Sequence, residues 1–474
     1  MNVSGRATFA DAFRGHYFWP SVAALAGISI GSVDQYVVNT SMPRVLAELG
    51  QPVFYAWVAS AFVLAQIVGM SLAGAWRDRS GLRIPFLVGI GVFGVGSLLC
   101  AGAPSMALLV VARGFQGLGG GALAALSYAA AAEYPEALRI RMYSLISTLW
   151  GIVALGGPLL GGAITDWVGW RWIFLANIPL CAVAAAVAMR GLGGSHPADR
   201  RRTIPVVRSM LLAATVGTLV AAPSAQPIQA LALLACGLVL GRVYLSQERK
   251  AAVPVMPLET WTARGAVGSC MLATMFVTAG YIGSNIFLPL YLQGVRHESA
   301  FTAGLVLSAA GVCWTIGSLL GVRAEGVWRM RVMRVGAFMI CLGALSIAFI
   351  SRNGLPLVFV YISWGGAAIG VGLALLHLMN WVVVYSPRER SGAASAAVQT
   401  ARLLGSAAGG ALMGAVLHGI GADPDHLLMA ISAIFLLGAL FALLPATLLR
   451  PKLEHAQPHE PDLQPAEALA TVEA

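Results

Sequence analysis

The chain has 474 residues, 58% of them hydrophobic and only 11% charged, with a formal net charge of +10. Soluble chains carry about 25% charged residues, so this supply cannot cover a water-facing surface. A soluble enzyme, a disordered chain and a collagen-like fibre are all excluded, and the composition is that of an all-α polytopic membrane protein.

Crossing about 30 Å of hydrocarbon takes about 20 mostly apolar residues, and the sequence offers fourteen such runs. In chain order, an N-terminal tail (1–17) leads into spans expected at 18–43, 53–76, 84–103, 105–131, 142–165 and 171–190. A flexible, basic stretch then opens a middle segment, 191–264, which holds two weaker spans at 206–223 and 226–245. Six more follow within 265–450, at 266–293, 301–321, 334–350, 355–384, 391–417 and 427–448. The polar tail 451–474, with its Pro and Glu, is expected to be disordered. The runs are too long for membrane strands and lack alternation with period two. The first is too long for a cleavable signal and carries Asp34, so it reads as a retained helix. Cys100, Cys181, Cys236, Cys270, Cys313 and Cys341 all fall inside apolar runs without CxxC spacing, and read as small packing residues.

The basic residues test the count. With the N-terminus in the cytoplasm, 24 of the 30 Lys and Arg fall in segments expected inside. Four, Arg44, Arg171, Arg296 and Arg352, fall in outside loops, and Arg113 and Arg402 lie within spans. Basic loops resist translocation, so this bias sets both termini in the cytoplasm. It also explains the net charge through anionic lipid, with no nucleic-acid partner. A faint internal repeat supports a six-two-six plan of two six-helix bundles and a two-helix insert. Gly156, Gly157 and Gly161 recur as Gly409, Gly410 and Gly414 at an offset of 253, and Pro135 recurs as Pro387 at 252. Such repeats are one transporter architecture.

Asp34 is the only Asp or Glu well inside a span, roughly 13 Å from the outer end of the first helix. It shares a face with Gly27, Gly31, Val38 and Ser41, so it points inward. A carboxylate at that depth costs at least about 2.5 kcal/mol, which leads us to expect a proton, a cation or a basic partner. Arg113 in the fourth span lies at nearly the same depth, on a face with Gln116, Gly117, Gly120 and Ser127. A guanidinium cannot lose its proton, so it can only tune a carboxylate or hold an anion. Arg402, with Ser395, Gln399, Gly405 and Gly409, repeats the pattern in the second half. Asn39, Gln66, Gln116, Tyr281, Asn285, Trp314 and His377 are further candidates to line a cavity, weighed against ordinary interhelical hydrogen bonding. His377 is a second titratable candidate, since imidazole titrates near 6.5.

Several motifs resemble the major facilitator superfamily. Gly74-Ala75-Trp76-Arg77-Asp78-Arg79-Ser80-Gly81-Leu82-Arg83 is similar to its cytoplasmic loop motif, with Leu82 replacing one basic residue. Arg113-Gly114-Phe115-Gln116-Gly117-Leu118-Gly119-Gly120 resembles its helix 4 motif, and Gly157-Pro158-Leu159-Leu160-Gly161-Gly162 its antiporter helix 5 motif. The stretches from Val33 to Pro43 and from Trp170 to Pro179 resemble the fourteen-span drug:proton antiporter family. The resemblance is strong over 18–190 and rests mainly on span count beyond. It implies a major-facilitator-type fold of two six-helix bundles plus two helices, with Asp34 and Arg113 in proton coupling. It implies a cytoplasmic gate at Gly74, Asp78, Arg79, Gly81 and Arg83, where Asp78 clamps the halves against a helix N-terminus such as Ser391-Gly392. Gly157, Pro158, Gly161 and Gly162 would form a tightly packed helix 5 hinge.

No P-loop, zinc pair or nucleophile–base arrangement appears, so no enzyme and no cofactor is expected. Energy must come from an ion gradient or from the substrate's own gradient. The leading expectation is a proton-coupled efflux antiporter for small amphipathic compounds, functional as a monomer in the bacterial inner membrane. The alternatives are an importer or facilitator on the same scaffold, and a membrane sensor or scaffold that does not transport. On this topology, a reporter fused after Pro223 should read periplasmic and one after Arg249 cytoplasmic. A cytoplasmic signal at both positions would remove the two-helix insert.

Overall fold

The computed structural model describes residues 9–192, 206–251, 255–256, 260–261, 265–324, 328–385 and 391–448. The tail 451–474 lies outside the described residues. Among the described residues, fourteen helices are long and apolar enough to cross a membrane. They are α1 (Phe18–Leu49), α2 (Trp57–Ser80), α3 (Arg83–Ala101), α4 (Met106–Ala132), α5 (Glu136–Trp167), α6 (Asn177–Gly191), α7 (Val206–Ala221), α8 (Pro227–Glu248), α9 (Gly265–Asn285), α10 (Ala300–Gly321), α11 (Trp328–Asn353), α12 (Leu357–Val384), α13 (Ser391–Ile420) and α14 (Pro424–Leu448). No strand occurs among the described residues. Both weak middle spans, expected at 206–223 and 226–245, are present as α7 and α8.

Several helices outrun their apolar runs. α1 continues six residues past the expected limit of 43, through Pro43 to Leu49, and α5 begins at Glu136 rather than 142. A helix satisfies its own backbone in or out of lipid, so the apolar run marks the hydrocarbon and not the helix end. Two spans are broken instead. A short helix, Arg171–Leu175, precedes α6, and α9 stops at Asn285 before Leu288–Leu290 and a π-turn at Tyr291–Val295. Pro289 has no N–H to offer the Asn285 carbonyl four residues back, which accounts for the second break. The residues from Phe9 to α1 are structured too. Phe9–Phe13 and Gly15–Tyr17 form short 3₁₀ turns, and the Ser21 hydroxyl ties them down by donating to the Ala12 carbonyl at 2.6 Å and meeting Tyr134 Oη at 2.9 Å.

With an even count, α1 starts and α14 ends on one face of the bundle, the terminal face, which also carries most of the basic loops. In the first half α4 packs against α2, α3 and α1, and in the second α14 against α9 and α11, and α9 against α13. The halves meet through α5 against α10 and α2 against α13. α7 lies along α2 and α13 together, so the insert spans the seam between the halves, while α8 packs on α7 and is mostly exposed. Ser71 and Ser209 hydroxyls meet at 2.6 Å across the α2–α7 contact.

In lipid there is little hydrophobic drive between helices, so close packing must hold them. α4 achieves this with glycines. A Cβ at Gly117 would strike the Phe62 carbonyl and lie 2.9 Å from its Cα, and one at Gly121 would lie 2.7 Å from the Gln66 Cα. Gly117→Val should therefore overpack the α2–α4 contact and cost at least about 1–3 kcal/mol, read as a lower melting temperature of the detergent-solubilised protein. Gly114→Ala meets open space and serves as the control, expected at the wild-type melting temperature.

Candidate functional site

The sequence placed one acid and one guanidinium at similar depth on neighbouring helices, and the fold brings them into contact. Arg113 Nη1 donates to Asp34 Oδ2 at 2.5 Å, with the two side chains 2% and 0% exposed. The remaining Asp34 oxygen accepts from Gln116 Nε2 at 3.0 Å and from Asn177 Nδ2 at 2.9 Å. Ser97 on α3 completes the cluster by accepting from both amides, at 2.8 Å from Gln116 and 3.3 Å from Asn177. Arg113 also donates from Nε to the Val58 carbonyl and lies over the Phe62 ring, 4.1 Å from its centre. α1, α2, α3, α4 and α6 thus contribute to a single buried network. Its members are satisfied mutually, as a buried ion pair requires.

This network borders a cavity of about 930 Å³ between the halves. Arg113 belongs to both: it pairs with Asp34 on one side and lines the cavity on the other. Asn39, Tyr281, Asn285, Trp314 and Arg402, all expected from the sequence, line it as well. Gln66, Gln116 and His377 do not. Gln116 is drawn away into the Asp34 network, and Gln66 belongs to the α2 surface packed on α4. His377 Nε2 lies 2.8 Å from the Gly321 carbonyl at the end of α10, which also accepts from the Ala324 amide at 2.9 Å, so the ring serves that helix terminus. Tyr281 stacks on the buried Trp364 with ring centres 4.9 Å apart, and Trp364 Nε1 donates to Asn285 Oδ1 at 2.8 Å. Trp364 therefore fixes two wall residues from behind, as Asn177 and Ser97 do for Asp34. Among these three, only Asn177 carried a sequence signal, through the motif between Trp170 and Pro179.

The cavity reaches towards the terminal face, with Tyr128 near the end of α4, Tyr143 near the start of α5 and Leu319 near the end of α10 in its wall. Away from that face the halves are bonded. The Ser60 hydroxyl donates to the Ala407 carbonyl at 3.1 Å, Tyr55 Oη to Ile286 O at 3.2 Å, and Gln293 Nε2 to Thr40 O at 2.8 Å. Asp166 at the end of α5 caps α10 of the opposite half, accepting from the Ala300 and Phe301 amides at 3.3 and 2.8 Å. Nothing in the sequence marks Asp166, because a cap from another bundle has no local spacing.

The helix 5 motif lies in the same closed contact. α5 stays helical through Pro158. Pro158 leaves the Ala154 carbonyl without its helical donor, and Gly311 of α10 approaches that carbonyl, where a Cβ would stand at 2.9 Å. The next carbonyl, Leu155, accepts from the Ser308 hydroxyl at 2.5 Å. Gly157 and Gly161 pack α5 against Tyr36 and Val37 of α1, and Gly162 against Ala300 of α10. At the terminal end of α2, Gly81 has φ +77° and closes the helix through its N–H to Arg77 O at 2.8 Å, the conformation that favours glycine there. Arg77 pairs with Glu133 at 3.1 Å, while Arg79 and Arg83 are exposed and Gly74 is half-buried. The side chains of Asp78, Ser391 and Gly392 lie outside the described residues.

A buried charge network beside a chamber open to one membrane face belongs to a transporter, not an enzyme. A family model described as the Major Facilitator Superfamily matches residues 24–410, and the chain belongs to that superfamily. It is 28% identical over 417 residues to a probable multidrug-efflux transporter of Mycobacterium tuberculosis, covering 85% of this chain and 88% of that one. It is also 28% identical to the methylenomycin A resistance protein of Streptomyces coelicolor, over 89% of this chain and 91% of that one. Among solved structures it is similar to a POT family peptide transporter (TM-score 0.66, 15% identity, 91% and 96% covered). The inward-open xylose transporter of E. coli is similar as well (TM-score 0.61, 13% identity, 95% and 98% covered). These structures share the fold.

If Asp166 holds the closed face through the α10 amides, Asp166→Ala should speed hydrogen exchange at Ala300 and Phe301 at least about tenfold, the scale of losing charge-assisted bonds. Unchanged exchange at both amides would show that other contacts alone keep this face shut.

Proposed function

We propose that the protein is a proton-coupled antiporter that exports small amphipathic compounds by alternating access, with both termini in the cytoplasm of a bacterial cell. On that orientation the terminal face is cytoplasmic and the structure is inward-open. The observation that carries the reading is the double engagement of Arg113, which pairs with Asp34 and at the same time forms part of the cavity wall. A change in the charge of Asp34 must alter Arg113, and therefore the chamber, which is the physical minimum for coupling a proton to a substrate. A carboxylate held by Arg113, Gln116 and Asn177 fits an ionised Asp34 that has released its proton inward.

The cycle follows from the contacts on each face. Protonation of Asp34 from outside would remove the charge that holds Arg113, and release would restore it after the halves rock. The helix 5 glycines and Pro158 would serve as the close-packed pivot between α5 and α10. The closed contacts at Asp166, Gln293 and Ser60 would part on the outward swing, while Gly74, Asp78, Arg79, Gly81 and Arg83 would form the opposing cytoplasmic gate. The six-two-six organisation puts all proton chemistry in the first half, and the two halves together form the cavity wall, with Tyr281, Trp314 and Arg402 from the second, so a monomer contains a full site. The efflux and resistance names of the relatives support export of small compounds.

Asp34→Asn keeps the shape of the side chain and fixes it as neutral. In everted vesicles with an imposed pH gradient, tested with cationic, neutral and anionic amphipathic dyes, this variant should lose gradient-driven accumulation while still letting substrate equilibrate downhill. Transport is to be normalised to folded protein. A variant that still concentrates dye against its gradient at the wild-type rate would eliminate Asp34 as the proton carrier.

A further inference from the structure

The charges around the chamber do not balance. Arg113 is neutralised by Asp34 at 2.5 Å. Arg402, on α13 in the opposite half, lines the same cavity and has no ion-pair partner among the described residues. Its Nε is buried with no hydrogen-bond partner, and so is the Oε1 of Gln399, one helical turn earlier. No carboxylate lines the cavity among the described residues, and Asp34 is turned away from it into its own network. Arg402 is half-buried, so its charge stands at the chamber wall with a buried Nε–H left over, an arrangement that an anionic ligand would complete.

We propose that the chamber takes organic anions: compounds with a flat apolar body and a carboxylate or similar acidic group, which Arg402 anchors. The inference rests on the cavity being the substrate chamber. The planar fork of Arg402 suits a carboxylate in bidentate geometry. Tyr36 and Tyr128 of the other half line the same cavity as Arg402, so the anchor shares the chamber with groups from across the seam. Trp150 of α5 and Trp314 of α10 line the chamber and supply aromatic surface for the apolar body. Gln399, turned either way, adds a polar group beside the anchor: Oε1 for a donor on the ligand, or the amide N–H₂ for the anion itself. An anion at Arg402 also leaves the Asp34–Arg113 pair intact, since the two sites stand on different halves. The occluded chamber then reaches neutrality with the anion bound and Asp34 ionised, which places the anion on the deprotonated leg of the cycle. A cation would raise an uncompensated positive charge instead.

The test is equilibrium binding to purified full-length protein in nanodiscs, without any gradient, using naphthalene-2-carboxylate, its neutral amide and naphthalene-2-methylammonium. Wild type should bind the carboxylate about tenfold or more tightly than the amide, the scale of a charge-assisted pair, and the ammonium weakest. Arg402→Gln should bring the carboxylate-to-amide ratio close to one, and Arg402→Lys should retain part of it. The inference is overturned if the amide or the ammonium binds wild type as tightly as the carboxylate. It is also overturned if the ratio survives in an Arg402→Gln protein with an unchanged melting temperature. The wild-type ratio decides even if the variant fails to fold. Because no gradient is applied, this outcome is independent of the transport loss expected for Asp34→Asn, so the charge of the substrate and the proton coupling can fail separately.

Discussion

A carboxylate and a guanidinium buried together in a bilayer-spanning bundle set the terms for much of the first half. Either charge alone would be too costly at that depth, and together they remain affordable only with further hydrogen-bond partners around them. Asp34 and Arg113 meet this through Gln116, Asn177, Ser97 and the Val58 carbonyl, drawn from α1, α2, α3, α4 and α6. Those helices must approach closely for short side chains to reach, which is why α4 carries glycines where it crosses α2 and α3. At Gly96 of α3, a Cβ would stand 2.6 Å from the Gln116 Cα. The polar cluster and the glycine-lined contacts around it are therefore one requirement, seen from the side of charge and from the side of packing.

The two membrane faces are held by different physics. Away from the terminal face, the halves are joined by backbone carbonyls that accept from Ser60, Tyr55, Gln293 and Ser308, and by a carboxylate capping a helix of the opposite bundle. Such bonds are directional and local, so they can be released without disturbing either bundle's own core. Proline and glycine in α5 and α10 supply the free carbonyls and the close approach that make this contact possible. A joint of this kind fits two rigid bodies that rock, because each half keeps its internal network while the surface between them changes partners.

The two-helix insert has its own anchoring. Glu248 at the end of α8 is 1% exposed and accepts from Arg208 at 2.9 Å, from the Met256 amide at 2.8 Å and from Tyr244 Oη at 3.2 Å. This ties both insert helices and the chain that leaves them into one unit. α7 touches both α2 and α13, so the insert rides on the seam between the halves while the chamber stays on their inner faces.

The number of spans, their helical character and the acid–base candidates followed from the sequence alone. Hydrocarbon thickness, backbone hydrogen bonding and the cost of buried charge act on any segment, whatever it packs against. That is why 206–223 and 226–245 could be read as helices despite their short loops, and why Asp34 and Arg113 stood out. Glycine at 81 was legible for a similar reason, since its backbone φ depends on the local turn. The partners of these residues were not legible. Gln116 and His377 read as cavity candidates, yet Gln116 was claimed by Asp34 and His377 by the end of α10. Ser97, Trp364 and Asp166 carry no signal at all, because their roles depend on which helix lies opposite. That choice is made by shape complementarity across the whole bundle, where residues 79 to 143 positions apart come within hydrogen-bonding distance of one carboxylate. Sequence fixes which groups lipid cannot tolerate unpaired; only the packed structure decides which of them pair, and leaves Arg402 facing an open chamber.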